Sequence, residues 1–186
     1  VDAILTDEYG VDLSGNKQII LFTAHRRESF GEKLRGMLVA VKDIAEKYPK
    51  KVQVVYPVHP NPNVARIAKE ILGDVDGVVL TRPIPYEPFA ELMGRAYLIL
   101  TDSGGIQEEA SVLGQPLLVM REETERPEAL GENGKLIGCD RATIVKEVSA
   151  LIDDEAKHAK MRKPHFGVGG GHAAGAVADH IIDFLK

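Results

Sequence analysis

The residues best suited to chemistry follow an apolar run, at a point where a strand is expected to lead into a helix. The segment Thr101-Asp102-Ser103-Gly104-Gly105 comes directly after Tyr97-Leu98-Ile99-Leu100 and before a helical pattern. The first backbone N–H groups of a helix lack partners within the helix, and the helix dipole adds partial positive charge there. Glycines let an anion approach those groups, and Ser103 could cap the helix and donate its hydroxyl. The pattern predicts a phosphate site, although a plain capped helix after a strand has the same residues.

Glu109 extends this prediction from phosphate to nucleotide. It lies about a turn and a half into the same predicted helix. A carboxylate at that position could accept hydrogen bonds from sugar hydroxyls, because ionised carboxylates are acceptors. Phosphate donors combined with a hydroxyl acceptor favour a nucleotide as the ligand.

A basic cluster, His25-Arg26-Arg27, follows the first apolar run and is a second candidate for anion chemistry. Arginine binds phosphate in a bidentate manner, and histidine can donate to a leaving phosphate oxygen or move a proton. Surface arginines that pair with Glu28 are the alternative interpretation.

Two further side chains have an open interpretation. His59 lies in the proline-rich segment Pro57-Val58-His59-Pro60, so its direction is fixed, and it is either a rigid polar contact or an ordinary loop histidine. Phe89 lies one turn into a predicted helix and could stack on a base. Its pattern alone favours a core phenylalanine.

Composition excludes several classes of function. The 186 residues carry a net charge of −5 with acidic and basic side chains interleaved, which argues against nucleic-acid binding. No apolar run approaches the length of a membrane span, so no membrane contact is expected. The single cysteine, Cys139, suits a reducing cytosol and hence a cytoplasmic location. No metal is expected, because no cluster of histidine, cysteine and carboxylate residues has ligand spacing, and no cofactor is expected. Four histidines near the C-terminus are interpreted as surface residues: His158, His165, His172 and His180.

Apolar runs that alternate with helical patterns indicate the fold. Strands are predicted at 18–24, 52–56, 78–80, 97–100, 116–120 and 135–137, with helices between them and a last helix at 173–185. The first helix follows a capping-box pattern, Ser29-Phe30-Gly31-Glu32. Fully apolar strands joined by helices predict an α/β fold with a single doubly wound, mostly parallel, Rossmann-like sheet. Residues 1–16 are predicted to be a connector and 17–186 the domain.

The chemically rich segments all follow predicted strands, where such a sheet binds its ligands. Four of them resemble the motifs of the non-hydrolysing UDP-N-acetylglucosamine 2-epimerases in order and spacing. The motifs are Thr23-Ala24-His25-Arg26-Arg27-Glu28-Ser29-Phe30-Gly31, Val55-Tyr56-Pro57-Val58-His59-Pro60-Asn61-Pro62-Asn63-Val64, Leu100-Thr101-Asp102-Ser103-Gly104-Gly105-Ile106-Gln107-Glu108-Glu109-Ala110 and Thr124-Glu125-Arg126-Pro127-Glu128-Ala129. Enzymes of that family have two Rossmann-like domains in the glycosyltransferase-B arrangement. The resemblance implies that this chain is the C-terminal, UDP-binding half.

The resemblance also implies a role for individual residues. Phe89 would stack on uracil, Ser103 and Gly104 would hold the diphosphate, and Glu109 would bind the ribose hydroxyls. We also place Gly105 and Arg82 at the UDP. His25 would act at the departing UDP, and a second, activating UDP-sugar site would include Arg26 and His59.

The implied reaction interconverts UDP-N-acetylglucosamine and UDP-N-acetylmannosamine by elimination and re-addition of UDP. Its acid/base carboxylates belong to the N-terminal half in this family, so the chain alone is expected to be inactive. The expected partners are therefore UDP or a UDP-N-acetylhexosamine, the missing N-terminal domain and, since relatives are often dimers, a second copy. Three alternatives stay open: a hydrolysing relative, a glycosyltransferase donor domain, or a stand-alone module that binds nucleotide sugars.

Overall fold

A six-stranded parallel sheet organises the described chain. The computed structural model describes residues 1–26, 31–167 and 171–186. Within them the strands are β1 (Gln18–Thr23), β2 (Val52–Pro57), β3 (Val78–Thr81), β4 (Leu98–Thr101), β5 (Leu117–Val119) and β6 (Gly134–Leu136). Their order is β3-β2-β1-β4-β5-β6, and all neighbouring pairs are parallel. The winding direction reverses between β1 and β4, which is the switch point where such sheets bind ligands beyond their carboxyl ends.

Helices cover both faces of this sheet. The helices of the described residues are α1 (Glu32–Lys47), α2 (Pro62–Leu72), α3 (Tyr86–Arg95), α4 (Gly104–Leu113), α5 (Arg141–Asp153), α6 (Glu155–Met161) and α7 (Ala173–Phe184), of which α7 buries none of its residues. Successive strand residues point to opposite faces. Ile20 and Phe22 of β1 pack with α1, α2 and α5, whereas Ile19 and Leu21 pack with α3 and α4. Burial on both faces explains why the strands are apolar throughout.

The predicted fold is confirmed, with differences at particular places. Each strand end lies within one residue of the predicted end. Helix α4 begins at Gly104, earlier than the apolar pattern from Ile106 predicts. In the predicted capping box, Ser29 and Phe30 lie outside the described residues, and Glu32 is the first residue of α1.

The prediction that His158 lies on the surface is wrong. It belongs to α6, a short helix that the sequence pattern did not reveal, and its side chain is buried. The imidazole stacks on Tyr97 with ring centroids 3.6 Å apart, and Nε2 lies 2.7 Å from the Tyr97 carbonyl oxygen. Asp154 ends α5 and caps α6, so the chain turns back and directs His158 against the sheet. Burial lowers the pKa of this histidine.

The N-terminal segment packs against the sheet. A helical turn, Ile4–Glu8, lies within the predicted connector, and Leu5, Tyr9 and Val11 are buried among the residues of the α3 and α4 face. The division into a connector at 1–16 and a domain at 17–186 stays a prediction.

Helix α7 differs from the other helices because all of its residues are exposed. Its apolar side chains include Val177, Ile181, Ile182 and Phe184. Within the described parts of the chain, none of the helices combines the length and apolar character needed to cross a membrane.

Candidate functional site

Asp102 lies at the centre of the site, immediately after β4 and next to the end of β1. Its carboxylate is fully buried. Oδ2 accepts the backbone N–H groups of His25 and Arg26, both at 3.0 Å, and Oδ1 lies 3.2 Å from the same His25 nitrogen. The Nδ1 atom of His25 is 3.4 Å from Oδ1. A single carboxylate therefore fixes the loop that carries both basic side chains.

The strands below this loop are tied together by buried polar contacts. The hydroxyls of Thr23 and Thr101 lie 2.6 Å apart, and the Ser103 backbone N–H donates to the Thr101 hydroxyl at 3.0 Å. From β2, the Tyr56 hydroxyl donates to the Ala24 carbonyl oxygen at 2.9 Å. Burial, and then the charge of Asp102, raise the pKa of Tyr56, so this hydroxyl keeps its proton. The backbone that leads into His25 is thus held from both neighbouring strands.

The start of α4 has the geometry predicted for an anion site, with one correction. Ser103 occupies the N-cap position, but its hydroxyl makes no capping bond to the first turn. The predicted N-cap position is thus confirmed, the predicted side-chain capping bond is absent, and the Ser103 backbone N–H donates to Thr101. The leading N–H groups of α4 have no partner inside the helix, as at every helix start. Gly105 has no neighbouring atom within 4 Å of the position that a Cβ would occupy.

Two arginines flank Gly104 at this helix start. A Cβ on Gly104 would lie 3.5 Å from Nη2 of Arg26 and 3.9 Å from Cγ of Arg126. Arg26 donates to Glu125 at 2.7 Å, Arg121 pairs with the same carboxylate, and Arg126 pairs with Glu108. Hydrogen bonds from Arg121 and then Arg26 lower the pKa of Glu125 to about 2. Both arginines beside Gly104 are thus held in place by carboxylates, next to the helix start where an anion would approach.

A cleft of about 210 Å³ opens beside this helix start. It brings together three predicted residues, His25, His59 and Phe89, with Pro83 and Ile106 in its walls. The imidazole rings of His25 and His59 are stacked, with centroids 5.6 Å apart and planes inclined by 6°. Phe89 is half-buried and packs on the core cluster that lies between the sheet and helices α3 and α4. Its ring therefore contacts the core and also forms part of the cleft wall.

The structure separates Glu109 from this cleft. Glu109 lines a neighbouring groove of about 290 Å³, together with Tyr86, Glu108, Val112 and Leu113. Burial, and then the charge of Glu108, raise the pKa of Glu109. Tyr86 lines this groove and Phe89 lines the cleft, so α3 contributes one aromatic ring to each depression.

Arg82 contacts the N-terminal segment. Its Nη2 donates to Glu8 at 2.7 Å, and its guanidinium lies 4.8 Å from the centre of the Tyr9 ring. The side chain is 63% exposed, so it is held against the N-terminal segment mainly by this pair and ring contact.

Sequence reasoning missed the roles of Asp102, Glu125 and Arg126. The signal for Asp102 was present, because an acidic residue directly after a buried strand at the switch point needs partners from the adjacent loop. No local signal identifies Glu125 as a partner of Arg26, because 99 residues separate the two. Among the described residues, no three His, Cys, Asp or Glu side chains are grouped to hold a metal ion.

Comparison with known proteins decides the family. A profile described as UDP-N-acetylglucosamine 2-epimerase matches residues 2–182. The chain belongs to the UDP-N-acetylglucosamine 2-epimerase family. The UDP-N-acetylglucosamine 2-epimerase of Salmonella typhimurium is 48% identical over 185 residues, which are 99% of this chain and 49% of that protein.

Solved structures of this family share the fold. The UDP-GlcNAc 2-epimerase from Neisseria meningitidis, bound to UDP-GlcNAc, superposes on this chain with a TM-score of 0.89 at 36% identity. The superposition covers 98% of this chain and 49% of the Neisseria chain. The S. aureus MnaA structure with UDP gives a TM-score of 0.85 at 36% identity, covering 97% and 48%. The chain thus spans about half the length of these relatives, and its Rossmann-like sheet is one half of a glycosyltransferase-B-type architecture.

Proposed function

We propose that this chain is the UDP-binding half of an enzyme that interconverts UDP-N-acetylglucosamine and UDP-N-acetylmannosamine. The observation that carries the proposal is the start of α4, where Gly104 lies between Arg26 and Arg126 and the space beside Gly105 is open. Charge-assisted hydrogen bonds from arginine and backbone N–H groups are strong, and a diphosphate provides the oxygen acceptors for them. The Ser103 hydroxyl, which makes no capping bond, becomes a further donor to the diphosphate.

The nucleoside occupies the cleft and the neighbouring groove in this proposal, and α3 contributes a side chain to each. Phe89 stacks on uracil, since its half-buried ring forms part of the cleft wall. Glu109 accepts hydrogen bonds from the ribose hydroxyls in the neighbouring groove. Arg82 reaches the nucleotide only after it releases Glu8, so its contribution depends on that exchange.

The proposed reaction breaks the bond between the anomeric carbon and the β-phosphate oxygen. A proton leaves the carbon that bears the acetamido group, the bond electrons stay on the departing UDP, and a glycal forms. Protonation of the opposite face and re-addition of UDP complete the inversion. His25 and the start of α4 stabilise the charge that develops on UDP, which is where preorganised donors act most strongly.

The groups that move the proton at the sugar carbon lie in the other half of the enzyme in this proposal. Two observations support a missing half: the relatives are about twice as long, and α7 exposes Ile181 and Phe184. Exposed apolar patches of this kind mark contact surfaces. We therefore expect no epimerisation by this chain alone, and turnover by the purified chain would contradict that expectation.

A second UDP-sugar site that includes Arg26 and His59, a homodimer of the whole enzyme and a cytoplasmic location complete the proposal. His59 stacks on His25 in one cleft, so a UDP-sugar bound at His59 would alter the surroundings of His25.

Isothermal titration with UDP, UMP and free N-acetylglucosamine tests the proposal. UDP should bind most tightly, because only it supplies a diphosphate. Ser103→Ala and Glu109→Ala should each weaken UDP binding about 10- to 100-fold, the effect of one lost charge-assisted hydrogen bond. Ser14→Ala, in an exposed turn far from α4, is the control and should bind UDP like the parent. Equal binding or no binding of the three ligands would refute the nucleotide site.

A further inference from the structure

Asp102 does more than hold the loop backbone, because its position relative to His25 selects one form of the imidazole. We propose that Asp102 is a positioning residue that fixes the tautomer of His25. The proton lies on Nδ1, facing the carboxylate, and Nε2 is the nitrogen available to a ligand in the cleft. The link from this tautomer to catalysis rests on the proposed function; the tautomer itself does not.

The contact between the two side chains determines which nitrogen carries the proton. Oδ1 of Asp102 is 3.4 Å from Nδ1 of His25, and the carboxylate is fully buried. An ionised carboxylate offers only acceptor atoms. An unprotonated Nδ1 would turn its lone pair toward those oxygens, whereas Nδ1–H presents a positive hydrogen. The Nδ1–H tautomer is therefore favoured in neutral His25.

His59 is fixed in the opposite form by a different partner. The Asn61 backbone N–H donates to Nδ1 of His59 at 3.2 Å, so that atom must be unprotonated. The proton of neutral His59 therefore lies on Nε2. Because the two rings are stacked 5.6 Å apart, His59 is an internal reference within the same cleft.

The proposed reaction depends on the protonation of Nε2 of His25, the ring nitrogen that does not face Asp102. With Nδ1–H held at Asp102, neutral His25 offers a lone pair at Nε2 and has no proton to donate to phosphate. His25 donates to the β-phosphate oxygen only after Nε2 is also protonated. The buried Asp102 carboxylate then balances the positive charge of protonated His25. This charge pair is in place while the bond between the anomeric carbon and the β-phosphate oxygen breaks and the bond electrons pass to the oxygen.

Asp102→Asn is a sharp test because it changes the group at the Oδ1 position and can retain an acceptor at the Oδ2 position. Oδ2 accepts both backbone N–H groups at 3.0 Å, so the asparagine carbonyl oxygen can keep these bonds, whereas the longer contact of Oδ1 with the His25 backbone nitrogen, at 3.2 Å, is lost together with the contact to Nδ1. The amide nitrogen then takes the place of Oδ1 and donates to Nδ1 of His25. The tautomer of His25 should reverse while the loop stays in place. Asp154→Asn is the matched control, because Asp154 also accepts a backbone N–H but lies far from the cleft at the start of α6.

The measurement is long-range ¹H–¹⁵N NMR of the full chain at alkaline pH, where the imidazoles are neutral. His25→Gln and His59→Gln identify the two sets of signals. The parent protein should show the Nδ1–H tautomer at His25 and the Nε2–H tautomer at His59. Asp102→Asn should change the tautomer of His25 only, and Asp154→Asn should change neither tautomer. An Nε2–H His25 in the parent overturns the proposal, a result that needs no variant to fold. So does an unchanged His25 in a folded Asp102→Asn protein.

Titration of the parent with UDP separates this inference from the proposed function. The expected tautomers without UDP binding would refute the nucleotide site and leave the role of Asp102 at His25 standing. UDP binding with the opposite tautomer at His25 would refute the role of Asp102 alone.

Discussion

Replacement of Gly104 by alanine should separate ligand binding from stability. The added methyl would lie 3.5 Å from Nη2 of Arg26 and 3.9 Å from Cγ of Arg126, both ordinary van der Waals contacts, so the fold should tolerate it. A phosphate oxygen must approach an N–H donor to about 2.7–2.9 Å. The methyl occupies the space through which the diphosphate would reach the start of α4.

The size of the effect follows from the bonds that are lost. A hydrogen bond to a charged group contributes about 1.5–3 kcal/mol, so the loss of one should weaken UDP binding about 10- to 100-fold. Alanine favours helix over glycine by up to about 1 kcal/mol, so the free energy of unfolding should stay equal or rise. Isothermal titration with UDP and urea unfolding of the same preparations measure the two quantities.

Gly36→Ala is the matched control for this substitution. Gly36 lies within α1, and no atom other than those of its chain neighbours and its own helix backbone lies within 4 Å of the position that a Cβ would occupy. The control should show the same or a larger gain in unfolding free energy with unchanged UDP affinity. A folded Gly104→Ala protein that binds UDP as tightly as the parent would refute the placement of the diphosphate at α4.

Three further predictions concern stability. Glu109 has a raised pKa, so the folded state keeps this proton at pH values above 4.5 and loses stability as the pH rises from 4.5 through the raised pKa. Glu109→Gln should therefore raise the free energy of unfolding at neutral pH and leave it unchanged below pH 4.5. A lower free energy of unfolding at neutral pH would contradict this. His158 has a lowered pKa, so the free energy of unfolding should fall as the pH drops below 6.5. His158→Gln should make this dependence on pH, measured by urea unfolding, less steep. An equally steep dependence in the variant would contradict the prediction. Gly114→Ala and Gly15→Ala both place alanine at positive φ, which should cost about 1–2 kcal/mol of unfolding free energy. Only at Gly114 would the added Cβ also lie 2.6 Å from the Pro164 nitrogen, so Gly114→Ala should be the more destabilising of the two. Equal losses of unfolding free energy would contradict this packing.

The parallel sheet and the position of the site could be predicted because both depend on local pattern. Apolar runs such as that of β4 are buried on both faces, and residues that follow parallel strands meet at one edge. His25 and His59 were therefore expected on the same side, and the cleft contains both.

The partners of these residues could not be predicted, because they depend on contacts between distant parts of the chain. Arg82 pairs with Glu8, which is 74 residues away, and His158 contacts Tyr97 across 61 residues. Periodicity carries no information about such pairs. The hydroxyl of Ser103 fits a helix cap by type, yet its backbone is held by Thr101 and the cap bond is absent.

A titration of ¹⁵N-labelled protein with UDP, followed through the backbone amide signals, tests the central claim most directly. The claim is that the diphosphate binds at the first turn of α4. The largest shifts should occur at the amides of Gly104 and Gly105, with those of Gly36 and Gly175 unchanged. Saturable shifts that leave Gly104 and Gly105 unaffected, or no shifts at any UDP concentration, would contradict it.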